Sequence, residues 1–256
     1  MINHSIEVSA IPAFNDNYIW LLKNAEGRCA LVDPGDHAPV TACLREHKLE
    51  LDTILVTHHH ADHVGGIPAL LEQWPARVVA PHDGRIVRPD LRVTQGDTVK
   101  VLGCEFTVIE VPGHTRSHIA YFGQGMLFCG DTLFSLGCGR LFEGTPEQMQ
   151  QSLDKLAELP PETLVFCAHE YTQSNARFAL EVEPGNDALQ SMSARIDALR
   201  MKGQMTLPST LGRELAANPF LRTREPTVVA AARKKDASAR PGASTMAVIR
   251  SWKDRF

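Results

Sequence analysis

The chain has 256 residues, 43% hydrophobic and 22% charged, with a formal net charge of −4; it can bury a real core as one large domain or two modest ones. The acidic balance argues against general nucleic-acid binding, which wants a basic face. No apolar stretch approaches the roughly 20 residues needed to cross a bilayer, and residues 1–9, with His4 and Glu7, lack the basic-then-apolar order of a signal peptide, so a cytoplasmic protein with no membrane partner is expected.

Six cysteines stand at 29, 43, 104, 129, 138 and 167, with no C-x-x-C pair. That is not metal-finger spacing, and without an export signal a disulfide framework is not expected. Cys29, Cys129 and Cys167 lie in apolar runs and read as small core residues. Cys138 lies in a glycine-rich loop, where a catalytic thiol is the weaker reading.

In chain order, residues 18–22 and 29–32 read as two strands joined at Asn24-Ala25-Glu26-Gly27, a hairpin-like turn. Asp33-Pro34-Gly35 stops the second, with Asp33 readable as a simple turn residue. Residues 39–47 look helical. The run 51–56 is short, apolar and partly β-branched, hence a buried strand. Residues 67–73 continue as helix and 77–80 as strand, while 81–97 is polar and turn-rich, a connector. Residues 98–101 and 105–111 alternate like paired strands around Gly103, and 119–122 and 126–129 like another pair around Gly123-Gln124-Gly125. Helix 146–159 and strand 163–167 follow. After Tyr171 the pattern is helical (173–181, 187–202, 227–235, 244–253) with no convincing strand, and 236–243 suits a mobile loop. This predicts an α/β layered domain over 1–170 and an all-helical one over 171–256.

One stretch carries chemistry: Thr57-His58-His59-His60-Ala61-Asp62-His63, between the buried strand 51–56 and Gly65-Gly66. In an extended loop side chains alternate, so His58 and His60 share a side and His59 points away. Asp62 and His63 follow where the chain turns and can face a second point. One ion on His58 and His60 and another on Asp62 and His63 is the natural reading, and imidazole with carboxylate suits Zn²⁺, Fe or Mn²⁺. A surface histidine tract is the bland alternative.

This stretch matches the T-H-x-H-x-D-H motif of the metallo-β-lactamase superfamily. With Ile11-Pro12-Ala13-Phe14, Pro112-Gly113-His114-Thr115, Cys129-Gly130-Asp131-Thr132, Gly137-Cys138-Gly139-Arg140, Glu143-Gly144-Thr145, Ala168-His169-Glu170-Tyr171-Thr172 and Lys253-Asp254-Arg255-Phe256, the chain resembles the glyoxalase II (hydroxyacylglutathione hydrolase) family nearly end to end. The resemblance implies a four-layer αββα sandwich with a C-terminal all-helical domain that binds glutathione. It implies two divalent ions per chain, Zn first and Fe or Mn next, with His58, His60 and His114 on one, Asp62, His63 and His169 on the other, and Asp131 bridging. His59 and His118 complete neither set and read as supporting residues, and the resemblance gives Asp33 a second reading besides the turn, as a partner that orients a ligating histidine.

The reaction it implies is hydrolysis of S-(2-hydroxyacyl)glutathione, such as S-D-lactoylglutathione, to D-lactate and glutathione, the second step of methylglyoxal detoxification. A metal-bridging hydroxide would be the nucleophile, available near neutral pH without a protein base. Catalysis would then rest on His58, His60, Asp62, His63 and Asp131. Arg140, Phe142, Tyr171, Arg250 and Lys253 fall at the family's substrate-binding positions; without the resemblance, Arg250 and Lys253 would read as a solvated basic end. Two departures stand out. Phe142 takes a position where some relatives carry Tyr, and Ser117 replaces the Gly of G-H-T-x-G-H. Alternatives are a lactonase, β-lactamase or nuclease of the superfamily, a mononuclear-iron sulfur dioxygenase, and a non-catalytic metal-binding module. No long apolar seam demands a partner, so a monomer is expected.

Overall fold

The computed structural model describes residues 6–256, so the first five residues of the segment read above as no signal peptide lie outside it. The chain forms two compact units: residues up to Glu110 together with Ser117–Gly130, and Val111–Arg116 together with Asp131–Phe256.

The first unit holds β1 (Glu7–Ala13), β2 (Asn17–Lys23), β3 (Arg28–Val32), α1 (His37–Glu46), β4 (Glu50–Leu55), α2 (Ala61–Val64), α3 (Ile67–Leu71), β5 (Arg77–Pro81), β6 (Leu91–Val93), β7 (Thr98–Val101), β8 (Cys104–Glu110), β9 (Ile119–Gly123) and β10 (Met126–Gly130). β1 to β6 form one sheet in sequence order, antiparallel from β1 to β3 and parallel from β3 to β6. Strand alternation sorts the side chains. Ile19 and Leu21, Cys29 and Leu31, and Ile54 join Val40 and Leu44 of α1 and Ile67 and Leu70 of α3 in one core. The opposite face carries Trp20, Leu22, Ala30, Val32 and Leu55, all buried. Strands β7 to β10 follow one another antiparallel. Tyr121 of β9 donates its hydroxyl to the carbonyls of Val56 (2.9 Å) and Val79 (3.3 Å), tying these strands to the first sheet. Helices, sheet and sheet thus stack as layers, as the alternating pattern predicts.

The parallel strands place the outgoing ends of β3, β4 and β5 along one sheet edge. Loops at such an edge rest on rigid supports. Gly35 lets two of them meet: a Cβ there would collide with the backbone of Asp62.

The second unit holds β11 (Leu133–Phe134) paired with β12 (Gly137–Cys138), α4 (Pro146–Ala157), β13 (Leu164–Cys167), α5 (Thr172–Val182), α6 (Asp187–Arg200), β14 (Ser209–Thr210), α7 (Leu211–Ala217), α8 (Pro226–Arg233) and α9 (Ala243–Lys253). Local chemistry starts the helices. Thr145 and Gln148 form a capping box on α4 with proline in its first turn, and Asn186 caps α6. Leu136, Ala176, Ala179, Leu189, Ile196 and Ala217 make a core between helices. The buried Glu214 carboxylate accepts from Ser135 Oγ (2.8 Å), the Leu136 amide (2.7 Å) and Ser209 Oγ.

Four local expectations need correction. β1, absent from the pattern reading, pairs along its length with β2. Strand β6 lies inside the expected connector 81–97, where three residues pair in parallel with β5 and leave no periodicity to read. The helical tail contains β14, two residues paired antiparallel with β13, and the short α7 capped by Thr210. Residues 236–243, read as a mobile loop, are pinned: Ala239 is buried, its carbonyl accepts from Arg233 Nε (3.0 Å), and the Arg240 carbonyl accepts from the Thr245 amide and hydroxyl.

Candidate metal centre

In the first unit the ligand loop leaves β4 and runs into α2. Asp33, one residue past β3 and held at φ 53°, reaches this loop. Asp tolerates the left-handed region better than most residues. Its Oδ1 accepts from the Thr57 amide (2.7 Å), and its Oδ2 accepts from Thr57 Oγ1 (2.6 Å) and from His63 Nδ1 (3.0 Å). These bonds fix two imidazoles. The proton on His63 Nδ1 goes to Asp33, so Nε2 carries the lone pair. Because Thr57 Oγ1 donates to Asp33, it accepts from His58 Nδ1 at 3.0 Å, and Nε2 of His58 likewise keeps its lone pair. Asp33 thus bonds His63 directly and His58 through Thr57, the contacts its orienting reading requires.

The same segment presents two pairs of donors. His58 Nε2 and His60 Nδ1 lie 3.1 Å apart, and Asp62 Oδ2 lies 3.4 Å from His63 Nε2. Asn17 at the start of β2 donates to Asp62 Oδ2 at 3.0 Å. His59 points to another side, its Nδ1 3.5 Å from Asp83 Oδ2. The buried His118 ring stacks on His58 at 4.5 Å, with its Nδ1 donating to the Ile119 carbonyl (3.1 Å). His59 thus lies against Asp83, and His118 against His58.

In the second unit three donors come from three separate segments. His114 Nδ1 donates to the Arg140 carbonyl at 2.8 Å, which leaves Nε2 as the lone-pair nitrogen. That Nε2 lies 3.4 Å from Asp131 Oδ2, and His169 Nε2 lies 3.4 Å from Asp131 Oδ1. One buried carboxylate thus stands between two buried imidazoles, one oxygen toward each. Close passage of the chain makes this possible, since a Cβ on Gly139 would strike the Asp131 carbonyl. The His169 ring stacks on Tyr171 at 4.7 Å and 6°, with Phe134 edge-on to both.

The expected substrate residues separate by environment. Phe142 is 63% exposed with its ring 5.2 Å from His114. Arg140 is exposed, its Nε 3.5 Å from Asp254 Oδ1. Arg250 is buried: it donates to the Cys138 carbonyl (2.8 Å) and Asp254 (3.1 Å), with its guanidinium 5.3 Å from the centre of the Phe220 ring. Lys253 lies 5.1 Å from the centre of the Phe178 ring, and burial, then the Arg250 charge, push its pKa down to about 8. Burial outweighs the nearby Arg250 and pushes the Cys138 thiol up, which does not suit a nucleophile. Asn17, Thr57 and Asp254 escape sequence reasoning, because a partner role shows only as a contact across the fold.

The donors are nitrogen and oxygen only, a set for borderline or hard divalent ions. Lone-pair nitrogens held by hydrogen bonds on their opposite ring atoms, beside carboxylates, fit such ions better than they fit a packed core.

Comparison with known proteins agrees. The metallo-β-lactamase superfamily model matches residues 14–169 and the hydroxyacylglutathione hydrolase C-terminus model residues 170–256. The hydroxyacylglutathione hydrolase of Aliivibrio salmonicida (strain LFI1238) is 54% identical over 97% of this chain and 99% of that protein. That of Ectopseudomonas mendocina (strain ymp) is 52% identical over 98% and 100%. Among solved structures, ETHE1 from Myxococcus xanthus has a TM-score of 0.66 at 24% identity, covering 97% of this chain and 98% of that one, a likeness of fold. The di-iron-bound form of TTHA1623 has a TM-score of 0.59 at 26% identity, covering 84% and 100%. The chain has the metallo-β-lactamase fold followed by the helical C-terminal domain, and it belongs to the hydroxyacylglutathione hydrolase family.

Proposed function

We propose that this chain hydrolyses S-(2-hydroxyacyl)glutathione, with S-D-lactoylglutathione as the type substrate: water adds to the thioester carbonyl, the C–S bond breaks, and a 2-hydroxy acid and glutathione leave. What supports the reading above all is a match to hydroxyacylglutathione hydrolases along 97% of the chain. In this reading His58, His60 and His114 would hold one divalent ion and Asp62, His63 and His169 a second, with the Asp131 carboxylate available to both. Zn is the first choice; Fe has support from the di-iron form of TTHA1623. Such a pair supplies a nucleophilic oxygen at neutral pH and a Lewis acid for the carbonyl.

The protein's own share is orientation. Asp33 and the Arg140 carbonyl keep the ring protons of His63 and His114 away from the metals, and Asp33 does the same for His58 through Thr57. A thiol of pKa near 8.5 leaves as thiolate without a strong acid. Arg140, Arg250 and Lys253 would attract the glutathione carboxylates, Arg250 while also holding the Cys138 carbonyl, and Tyr171 and Phe142 would contact the substrate. Residues 1–170 then act as the catalytic domain and 171–256 as the glutathione-binding one. Among the described residues no helix is long and apolar enough to cross a membrane, and the net charge is −4; the reading takes the chain as a cytoplasmic monomer that acts on a small molecule, without membrane or nucleic-acid partners.

The test is turnover of S-D-lactoylglutathione with metal content measured on the same sample. Turnover with about two ions per chain, lost on chelation, is expected. A folded, metal-loaded protein without turnover overturns the substrate, and oxygen consumption with glutathione persulfide would then favour a dioxygenase.

A further inference from the structure

The two features the proposed chemistry leaves unused, His59 and the departure Ser117, meet at one carboxylate. Asp83 lies two residues past β5, on the same sheet edge as Asp33 past β3 and Thr57 past β4. It is buried, and Arg85 grips it in a fork, Nε to Oδ1 at 2.9 Å and a terminal nitrogen to Oδ2 at 2.7 Å. The Arg85 amide adds a third bond at 2.9 Å. Arg92 braces the turn from behind, donating to the carbonyls of Pro81 (2.9 Å) and Asp83 (2.8 Å). On this fixed anion Oδ2 accepts from Ser117 Oγ at 2.5 Å and faces His59 Nδ1 at 3.5 Å.

Both partners bear on the ligand loop. His59 sits between His58 and His60 and points away from them, and its Nδ1 lies 3.5 Å from Asp83 Oδ2, a packing contact against the outer side of the loop. Ser117 precedes His118, whose ring stacks on His58 at 4.5 Å. Asp33 grips the inner flank of the same loop. A loop held on one flank only can rotate about that hold; one held on both cannot.

We propose that Asp83 is a positioning residue for the metal-ligand loop: by way of the Ser117 hydroxyl it seats His118 against His58, and it gives His59 a fixed surface to pack on. Ser117 is then a gain over glycine, which could make no such bond. The inference rests on the reading of His58 and His60 as ligands to an ion.

The test uses the zinc-loaded full chain and follows zinc transfer to a chromophoric chelator, beside the melting temperature of the metal-free protein. Asp83→Ala is expected to weaken zinc retention roughly 10–100-fold, the usual range for residues that orient ligands. Ser117→Ala and Ser117→Gly are expected to weaken it several-fold, with the metal-free melting temperature unchanged. Ser117→Thr should restore retention. Should Asp83→Ala fail to fold, Asp83→Asn and the Ser117 variants carry the test. Parental zinc retention in Asp83→Asn, Ser117→Ala and Ser117→Gly would overturn the proposal, as would a fall in the metal-free melting temperature that accounts for the whole loss. His58→Ala separates the two levels. If it releases zinc and the Asp83 variants do not, only the positioning role fails; if the parent holds no zinc, the ligand reading fails and this inference with it.

Discussion

The two units supply metal-ligand candidates in opposite ways. The first draws four from six consecutive residues, His58 to His63, on a loop gripped by Asp33. The second draws three from positions 114, 131 and 169, brought together by turns as tight as Gly139 against the Asp131 carbonyl. A contiguous set depends on local geometry and one orienting carboxylate. A dispersed set depends on several loops folding correctly at once. The first should therefore be sensitive to its orienting residue, and the second to its central carboxylate.

The largest effect tests the second unit. Asp131→Asn keeps the shape but removes the charge between His114 and His169, and kcat should fall by about 10³-fold or more with loss of bound metal. Near-parental turnover would remove Asp131 from the centre. Next, Asp33→Ala strands the buried Thr57 amide and frees the His58 and His63 rings. Metal affinity should drop roughly 10–100-fold, and the melting temperature should fall through unsatisfied buried donors worth about 1–3 kcal/mol each. An Asp33 variant that binds metal normally would break the contrast, since the contiguous set would then need no holder.

Smaller effects belong to the basic pair on α9. Arg250→Ala with Lys253→Ala should raise KM on the order of 10-fold with little change in kcat; an unchanged KM would return both to a structural role. Arg250→Ala alone should also lower the melting temperature, because its bond to the Cys138 carbonyl is lost. The least effect is on pH. With its pKa at about 8, Lys253 is charged below that value and neutral above it. An anionic substrate should therefore bind best below pH 8, with KM rising through pH 8–9. Lys253→Ala should flatten that rise.

Legibility in the sequence followed the same contrast. His58, His60, Asp62 and His63 could be read from spacing, since alternation in an extended loop sets who faces whom. His114, Asp131 and His169 could be chosen only by resemblance, because a lone histidine after a strand looks like any other. The strands with clean alternation, such as β7 and β8, were visible for the same local reason. β6 and β14 were not: at three and two residues they exist because a neighbour offers backbone partners, and that information is not local.

What the sequence determined by itself was the contiguous donor set, the nitrogen-and-oxygen chemistry, the strands and helices long enough to show a period, and the family. What only the tertiary structure decided was orientation. Asp33, an ambiguous turn residue in the chain, dictates through hydrogen bonds which nitrogen of His58 and of His63 is available. Asp131 has its two oxygens turned to different imidazoles. Arg250, a cation near the end of the chain, is buried under Phe220 and holds a carbonyl 112 positions away. Ring protons and carboxylate faces are set by partners distant in sequence, and a linear pattern holds no record of them until the chain has folded.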